Sequence, residues 1–316
     1  MAPNLSEMVA TTLDRYSRQI ADNVSKHNAL LSRLNRRGNI RSVSGGTKIL
    51  QELDYQENST FKWYTGYETL DISASDVLTA AEFEWKQANA NVVISGREQM
   101  INAESRERIH DLLRSRITNA QRTLQNNIAT ALFHDGTDGK KIGGLQLLIA
   151  DDPSSGTVGG IDRANWPFWR NQVYDFNDEL SSNADETNIQ KGMNKLWIRT
   201  TRGTDRPDLI VMDPNYFTFY LESLQDQKRF QSDEMADAGF MSLKYMSSDV
   251  VFDDQAPADH GYFLNTDFLF FRPHSQRNFR PLRERQTVQQ DALVTPMVWM
   301  GNMTMSNASL QGVMHS

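Results

Sequence analysis

Residues 47–72 of the chain have the sequence TKILQELDYQENSTFKWYTGYETLDI. Apolar and polar residues alternate in both halves of this stretch, which is the pattern of β-strands that each bury one face. The residues predicted to share the buried face are Ile49, Leu53 and Tyr55 in the first half and Phe61, Trp63, Thr65 and Tyr67 in the second. The polar residues 56–60 between them have the length of a hairpin loop. The pattern therefore predicts a two-stranded arm, with nine-residue strands reaching about 30 Å.

The arm needs a surface on which to bury its aromatic face. An isolated two-stranded hairpin is only marginally stable in water, and no neighbouring part of the sequence offers an obvious partner. The arm therefore predicts contact with another copy of the chain, with Trp63 or Tyr64 as a buried anchor. The candidate interface residues in the arm are Ile49, Leu53, Tyr55, Phe61, Trp63, Tyr64 and Tyr67.

Composition indicates a globular protein with an uneven charge distribution. The 316 residues are 39% hydrophobic and 23% charged, which suits about two domains with a substantial core. The net charge is −7 and the pI is near 5.4, so the chain as a whole is not expected to bind nucleic acid by electrostatics. Residues 1–47 contain seven basic and three acidic residues, a net charge of +4, and the remainder carries −11. A basic segment of this kind can face a polyanion, an acidic partner protein or solvent water.

The chain contains no cysteine. Disulfides, thiolate metal sites and cysteine nucleophiles are therefore excluded. The N-terminus has no apolar signal core, and no stretch approaches the ~20 apolar residues of a membrane span. The expectation is a protein that is made and folded in a cytoplasm, without membrane association.

Periodicity predicts the remaining elements. Helical spacing indicates an amphipathic helix over residues 5–34, which either packs on the body or docks as an arm on a neighbour. Residues 77–95 predict a strand whose apolar face changes parity near residue 87. Residues 97–133 predict one long helix, about 54 Å in length, that packs on a sheet. Alternating helices and strands follow, and residues 294–305 predict a final strand.

No constellation of catalytic or metal-binding residues emerges from the sequence. The Asp-Gly-Thr at 135–137 lacks the aspartate nucleophile that a phosphohydrolase loop requires two positions earlier, because that position is Phe133. The glycines of 139–144 form no phosphate-binding motif, and the six histidines show no metal-ligand spacing. The acidic cluster at 253–260 has the character of a solvated loop. No catalytic residue, cofactor or metal is predicted, and an oligomeric cytoplasmic enzyme with a dispersed active site is the weaker alternative.

A basic run follows residue 271 and is interleaved with phenylalanine. Its members are Arg272, His274, Arg277, Arg280, Arg283 and Arg285. Such a run suits nucleic acid, but acidic residues of another subunit, such as those at 175–186, satisfy it equally well. The negative net charge of the chain favours the subunit contact, so Arg277 and Arg280 are added to the candidate interface residues.

Several stretches, taken in order, resemble the major capsid proteins of tailed bacteriophages with the HK-ninety-seven-type fold. These stretches are residues 46–67, 83–87, 143–149, 207–211, 223–230, 263–267, 301–307 and 309–312. The likeness extends from about residue 46 to the end of the sequence, and it rests on the ordered set because no single motif is diagnostic.

The resemblance implies an α+β fold with named parts. Residues 1–45 would form an N-terminal arm, and residues 46–75 an extended hairpin loop that overlaps a neighbouring subunit. Residues 76–138 and 291–316 would form a peripheral domain around the long spine helix. Residues 139–290 would form an axial domain, whose loops meet at the centre of each pentamer or hexamer.

The resemblance also implies the function and the partners. The family is not enzymatic and needs no cofactor; its members self-assemble from hexamers and pentamers into an icosahedral shell around double-stranded DNA. The implied partners are further copies of the chain, a separate scaffold protein, a portal, and packaged DNA on the inner face. The implied location is the virion capsid, assembled in the cytoplasm of a bacterial host. An encapsulin-like compartment, which shares the fold, is the alternative.

Some members of this family crosslink a lysine to an asparagine between subunits. In this sequence the possible partners are Lys48 or Lys62 and Asn302 or Asn307. These residue types are common, so the sequence alone gives the crosslink little support.

Overall fold

The computed structural model describes residues 28–98, 106–224, 242–283, 285–286 and 290–316. The predicted helix over residues 5–34 therefore lies mostly outside the described residues.

The helices are α1 (Ala29–Arg36), α2 (Arg106–Ala131), α3 (Leu145–Leu148), α4 (Phe176–Leu180), α5 (Ile189–Thr200) and α6 (Pro214–Ser223). The strands are β1 (Ile49–Asp54), β2 (Leu78–Phe83), β3 (Lys86–Ser95), β4 (Thr157–Val158), β5 (Ile161–Asp162), β6 (Gln172–Asp175), β7 (Leu209–Met212), β8 (Ser242–Tyr245), β9 (Ser248–Phe252), β10 (His260–Leu264), β11 (Leu269–Pro273), β12 (Arg280–Pro281), β13 (Arg285–Gln286), β14 (Ala292–Met305) and β15 (Gly312–His315).

The long strand β14 organises a five-stranded sheet. It pairs antiparallel with β3 along one side and with β11, β12 and β13 along the other. Side chains alternate across a strand, and here Met297 and Trp299 are buried whereas Val294 and Val298 are half-buried. One face of the sheet is therefore packed against the core, and the other is more open.

The packed face of this sheet lies against α2, which is the spine helix of the fold. The 26 described residues of α2 span about 39 Å. Ile117, Leu124 and Ile128 are buried at helical spacing, and the helix packs on β3. The predicted long helix is confirmed over its described part, while residues 99–105 lie outside it.

The spine helix ends at a close backbone junction with the segment that follows it. Gly144 N–H donates to the carbonyl of His134 (3.1 Å), and Leu145 N–H donates to that of Leu132 (2.6 Å). A Cβ on Gly144 would lie 2.2 Å from the backbone nitrogen of His134. The junction therefore requires glycine at position 144.

A second sheet has six strands in the order β6-β15-β10-β7-β9-β8. Strand β7 is fully buried, and Asp213 caps the following helix α6, which begins with Pro214. The predicted boundaries assign residues 291–316 to the other domain, but β15 pairs with β6 and β10 in this sheet. Conversely, β11–β13 lie in the sheet of β14 rather than here. Hydrophobic alternation indicates that a segment is a strand, and it does not specify the sheet that the strand joins.

Helix α1 packs in the core of its own chain. Asn28 caps it, because its side chain accepts a hydrogen bond from Leu31 N–H (3.1 Å). Leu30, Leu31 and Leu34 are buried. Residues 39–43 then run along β11, with bridges from Ile40 to Phe271 and from Val43 to His274. The described part of the predicted N-terminal arm is therefore a packed helix and strap, rather than an arm that docks elsewhere.

One buried and one exposed arginine join α1 to the body of the protein. The Arg33 guanidinium donates to Asp249 and to the carbonyl of Asp208 (3.2 Å for the carbonyl). The side chains of Arg33 and Asp249 are each only 7% exposed. Arg37 contacts Asp208 at 3.4 Å, but its side chain is 43% exposed. Removing Arg33 would leave a buried carboxylate without its counter-charge.

The predicted hairpin is wrong in its pairing. Strand β1 pairs antiparallel with β2, from Ile49 opposite Phe83 to Asp54 opposite Leu78, and residues 61–67 form no strand. The predicted strand 77–95 is in turn divided into β2 and β3 at residues 84–85. The predicted change of parity is confirmed, because the buried residues Ala81 and Phe83 of β2 are odd-numbered, whereas the buried Val92 of β3 is even-numbered. Periodicity identified the strand face correctly, but several later segments could have supplied the partner.

Candidate subunit interface

Residues 55–77 form a long loop at the end of the ribbon made by β1 and β2. The Tyr55 N–H donates to the carbonyl of Val77 (3.1 Å), which closes the ribbon. Further out, Ser59 N–H meets the Ser75 hydroxyl at 3.3 Å, so the two sides of the loop run beside each other. Gly66 has a φ of +64°, a left-handed conformation that favours glycine. The chain therefore reverses near Gly66, and not at residues 56–60 as predicted.

Large apolar side chains on this loop are exposed. Trp63 is 89% exposed and Ile72 96% exposed. The ring of Phe61 packs edge-on against that of Trp63, with centroids 5.7 Å apart. The set of exposed apolar residues is Phe61, Trp63, Tyr64, Tyr67, Leu70 and Ile72. Contiguous exposed apolar surface marks an interaction site, so the loop is the strongest candidate for a contact with another molecule.

The sequence reasoning missed Leu70 and Ile72. It followed the alternation only to Tyr67, and the two residues lie on the returning side of the loop. The sequence did contain a signal for them, because apolar Leu70 and Ile72 lie on either side of the acidic Asp71 and so continue an alternating pattern.

Three predicted interface residues contact their own chain instead. Ile49 and Leu53 are 2% and 4% exposed and belong to the main core, so their side chains are not available to a neighbour. Tyr55 is half-buried, and its ring lies 5.8 Å from Trp166 and 5.5 Å from Phe168. The part of the arm whose side chains are exposed to a neighbouring molecule therefore begins at Phe61.

The loop is acidic as well as apolar. Residues 55–77 contain four acidic residues and one lysine, which gives a net charge of −3. The Ser73 N–H donates to the Asp71 carboxylate (2.9 Å), and this hydrogen bond lowers the pKa of Asp71. Asp71 is therefore charged at neutral pH. A partner surface for this loop should combine apolar area with positive charge.

The basic run after residue 271 separates into two parts. Arg272 is half-buried: it donates to the Gln51 side chain (3.0 Å), lies 4.7 Å from the ring centre of Phe270, and has a pKa lowered by burial. His274 packs its ring against Trp85, 5.3 Å away. The exposed members are Arg277, Arg280, Arg283 and Arg285. Within the described parts of the chain, these four arginines have no ion pair.

The acidic segment 175–186 is already partly neutralised by its own chain. Glu179 accepts hydrogen bonds from Lys195 (2.8 Å) and Arg199, and these bonds lower the pKa of Glu179 to about 2. Asp175 caps α4. Asp178, Asp185 and Glu186 are the exposed acidic residues of this segment that have no ion pair among the described residues.

Two kinds of feature are absent from the described parts of the chain. No group of three or more histidine, aspartate or glutamate side chains there is placed to hold a metal ion. No described helix is long and apolar enough to cross a membrane.

The acidic cluster at 253–260 does not form one site. Asp253 contacts Asn28 (3.0 Å), whereas His260 contacts Asp151 (3.1 Å) and the carbonyl of Ala258 (2.6 Å). Burial lowers the pKa of His260, but the contacts with Asp151 and Ala258 outweigh it, and the net shift is upward.

The possible crosslink residues have structural contacts within the chain. Asn302 is buried; its side chain accepts from Gly143 N–H (3.0 Å) and donates to the carbonyl of Glu84 (2.9 Å). Lys48 forms an ion pair with Glu82. The Asn302 side chain therefore joins β14 to Gly143 and to Glu84.

Solved structures of other proteins share the fold of this chain. No protein-family model matches the sequence, and neither does any curated protein. The capsid asymmetric unit of cyanophage A-1(L) matches with a TM-score of 0.64 and 16% identity, covering 89% of this chain and 90% of that one. The capsid of a native GTA particle matches with a TM-score of 0.59 and 12% identity, covering 88% of each chain.

A compartment shell also matches. The holo-SrpI encapsulin complex from Synechococcus elongatus PCC 7942 has a TM-score of 0.55 and 10% identity, covering 90% of this chain and 86% of that one. The likeness in each case extends over 88–90% of this chain. The chain therefore has the α+β, HK-ninety-seven-type fold of tailed-phage major capsid proteins, as the resemblance of its sequence predicted.

Proposed function

We propose that this chain is a major capsid protein, many copies of which assemble as hexamers and pentamers into an icosahedral shell around the double-stranded DNA of a tailed phage. The proposal has no catalytic step. Assembly takes place in the cytoplasm of a bacterial host, with a separate scaffold protein and a portal as further partners. The finished protein is part of the virion.

One observation carries the proposal beyond the fold. A chain with the fold of a shell protein exposes a row of aromatic and aliphatic side chains on one projecting loop, residues 55–77. Such a surface is unfavourable in water and is stabilised when a neighbour covers it. Repeated over many copies, contacts of moderate strength suffice to close a shell, because each further contact is made at a high effective concentration.

The interface residues proposed on the loop are Phe61, Trp63, Tyr64 and Tyr67, with Leu70 and Ile72 added. Arg277 and Arg280 form a second proposed contact, with exposed acidic residues of a neighbour such as Asp178 or Glu186. Both arginines are exposed and lack an ion pair among the described residues. A carboxylate of a neighbouring subunit would therefore not have to displace a carboxylate of the described residues. Exchange of Arg280 for Glu should then weaken assembly most at low salt, since exposed charge pairs are screened by salt.

A shortened loop tests the proposed function. Replacing residues 57–75 with a short Gly-rich turn keeps Tyr55 and Val77, whose backbone hydrogen bond closes the ribbon. The variant should remain a folded subunit by circular dichroism, and it should form no closed shells by negative-stain microscopy. A full-length control with Thr65→Ser and Thr69→Ser keeps the apolar residues and should assemble. Normal shells from the shortened variant would contradict the role of the loop.

An encapsulin-like compartment is the second candidate, because an encapsulin shell matches this chain over 90% of its length. The contents of the shell distinguish the two functions. A phage capsid should yield nuclease-protected double-stranded DNA, whereas a compartment should yield a co-purifying cargo protein.

A further inference from the structure

A second aromatic surface lies where the ribbon of β1 and β2 meets the segment 157–169. Three rings contact one another there. The Tyr55 ring lies 5.5 Å from that of Phe168, and the Trp166 ring lies 5.8 Å from Tyr55 and 6.0 Å from Phe168. Trp166 is 47% exposed although it has these two partners. We call Tyr55, Trp166 and Phe168 the aromatic wall.

The local sequence keeps the aromatic wall at the surface. Pro167 begins a short turn that ends at Trp169. Trp169 is buried, and its indole N–H donates to the carbonyl of Val158 (2.9 Å). Because Trp169 anchors the turn in the core, the neighbouring Trp166 remains at the surface, beside the ribbon.

The hairpin of β4 and β5 joins this segment to the ribbon. Its turn residues Gly159 and Gly160 both have a positive φ, as a tight hairpin turn requires. The Glu82 N–H donates to the carbonyl of Gly159 (2.8 Å), and a Cβ on Gly159 would lie only 2.9 Å from that of Ala81. The hairpin backbone therefore lies directly on β2, and this contact fixes the aromatic wall relative to the ribbon.

A cavity of about 590 Å³ opens between these segments. The aromatic wall lines it together with Leu78 and Ile161, and its only charged lining residues are Asp76 and Glu82. Glu82 forms an ion pair with Lys48 (2.5 Å). Asp76 is exposed and has no ion pair among the residues that the structure describes. The uncompensated charge of the lining is therefore negative.

Aromatic faces beside a free carboxylate favour a cation. The quadrupole of an aromatic ring attracts a positive charge placed over its face. Of the protein cations, the arginine guanidinium suits this lining best, because it stacks on aromatic faces and can donate two hydrogen bonds to one carboxylate. The cavity is larger than a single guanidinium, and the exposed Leu78 offers apolar area to the neighbours of such an arginine.

We propose that this cavity binds an arginine on a short extended segment of a different protein, with the guanidinium against the aromatic wall and Asp76. A second copy of the chain is a poorer occupant, because the backbone of its exposed arginine run is bonded to β14. Met300 N–H donates to the carbonyl of Arg277, and Leu282 N–H donates to that of Pro296 (both 2.8 Å). That run cannot enter as an extended segment without leaving its sheet. The proposal concerns a partner of the single subunit, so it goes beyond the proposed shell function and does not depend on it.

Fluorine NMR of the full-length, unassembled chain labelled with fluorotryptophan tests this binding. The chain has six tryptophans, and Trp166→Phe assigns the resonance of Trp166. The probe is the peptide acetyl-Leu-Arg-Leu-amide, and the matched peptide contains citrulline, which has the shape of arginine without its charge. The arginine peptide should shift the Trp166 resonance with a dissociation constant roughly tenfold lower than that of the citrulline peptide. The resonance of the buried Trp299 should not shift.

Removal of the carboxylate gives an independent test. Asp76→Asn keeps the shape of the side chain and should abolish most of the preference for arginine over citrulline. The matched control is Asp71→Asn, because Asp71 is an exposed carboxylate of the same loop that does not line the cavity. This control should keep the preference of the unmodified chain.

The outcomes separate this proposal from the shell function. Equal binding of the two peptides, no shift of the Trp166 resonance, or a preference that survives Asp76→Asn would each overturn it. Tighter binding of a peptide with the sequence of residues 276–286 would overturn the choice of a different protein and assign the cavity to a second copy. If Asp76→Asn does not fold, the peptide comparison on the unmodified chain decides. Failure of the chain to form shells would contradict the proposed function alone.

Discussion

Replacing Trp63 by alanine should impair assembly and leave the isolated subunit intact. Trp63 is 89% exposed in the single chain, so its removal should change the free energy of unfolding by less than about 0.5 kcal/mol. On a neighbour, an aromatic side chain buries about 150–250 Å², worth at most about 4–6 kcal/mol at 25 cal/mol per Å². Measured truncations of such anchors cost about 2–4 kcal/mol. Each loop contact should therefore weaken roughly 30-fold to 700-fold.

Leu53→Ala is the matched comparison, since Leu53 lies in the same arm but is 4% exposed in its own chain. It should lower the free energy of unfolding of the subunit by about 2–5 kcal/mol. The assays are urea unfolding of the unassembled subunit and light scattering against subunit concentration. The reasoning is refuted if Trp63→Ala assembles at the wild-type concentration, or if it destabilises the subunit as strongly as Leu53→Ala does.

Three further predictions concern the fold. Arg33→Met should lower the free energy of unfolding by about 3–5 kcal/mol, because it leaves a buried carboxylate unpaired. Replacing the exposed Arg37 by Met should lower it by at most about 1 kcal/mol. Urea unfolding measures both values, and equal losses would contradict this reasoning. The raised pKa of His260 means that its contact with a carboxylate stabilises the fold fully below its ordinary pKa of 6.5, and that this stability is lost as pH rises through the raised value. The difference in melting temperature between wild type and His260→Gln should therefore shrink as pH rises above 6.5, and a difference that grows would refute the assignment. Gly144→Ala should destabilise the subunit by about 1–3 kcal/mol because its Cβ meets backbone atoms, whereas Gly139→Ala, with nothing within 4 Å, should be neutral or slightly stabilising in thermal unfolding.

Local features of the fold could be predicted from the sequence because neighbouring residues determine them. Asp213 followed by proline specified the start of α6, and the helical spacing of Ile117, Leu124 and Ile128 specified the buried face of the spine helix. These features depend on side-chain periodicity and capping, both of which act over a few residues.

Long-range pairing could not be predicted in the same way. The alternation around Ile49 and Leu53 correctly indicated a strand with one buried face, but it did not show that β2, rather than residues 61–67, lies opposite. A strand of the right period fits any partner that covers its apolar face. The same limit applies to β15, whose four residues join the sheet of β10 although they follow β14 in sequence.

The candidate interface was predictable in part. Trp63, Tyr64 and Tyr67 stood out because aromatic residues clustered where the sequence offered no local partner, and they are exposed in the structure. Ile49 and Leu53 belonged to the same pattern, but their side chains are buried in the core of their own chain.

Electron cryomicroscopy of the purified full-length chain tests the central claim most directly. The proposed function predicts closed icosahedral shells, built from hexamers and pentamers, in which residues 55–77 of each subunit lie on the neighbouring subunit and Trp63 is buried by that neighbour. Monomers or small open oligomers, with the loop folded back on its own chain under conditions that favour assembly, would contradict the claim.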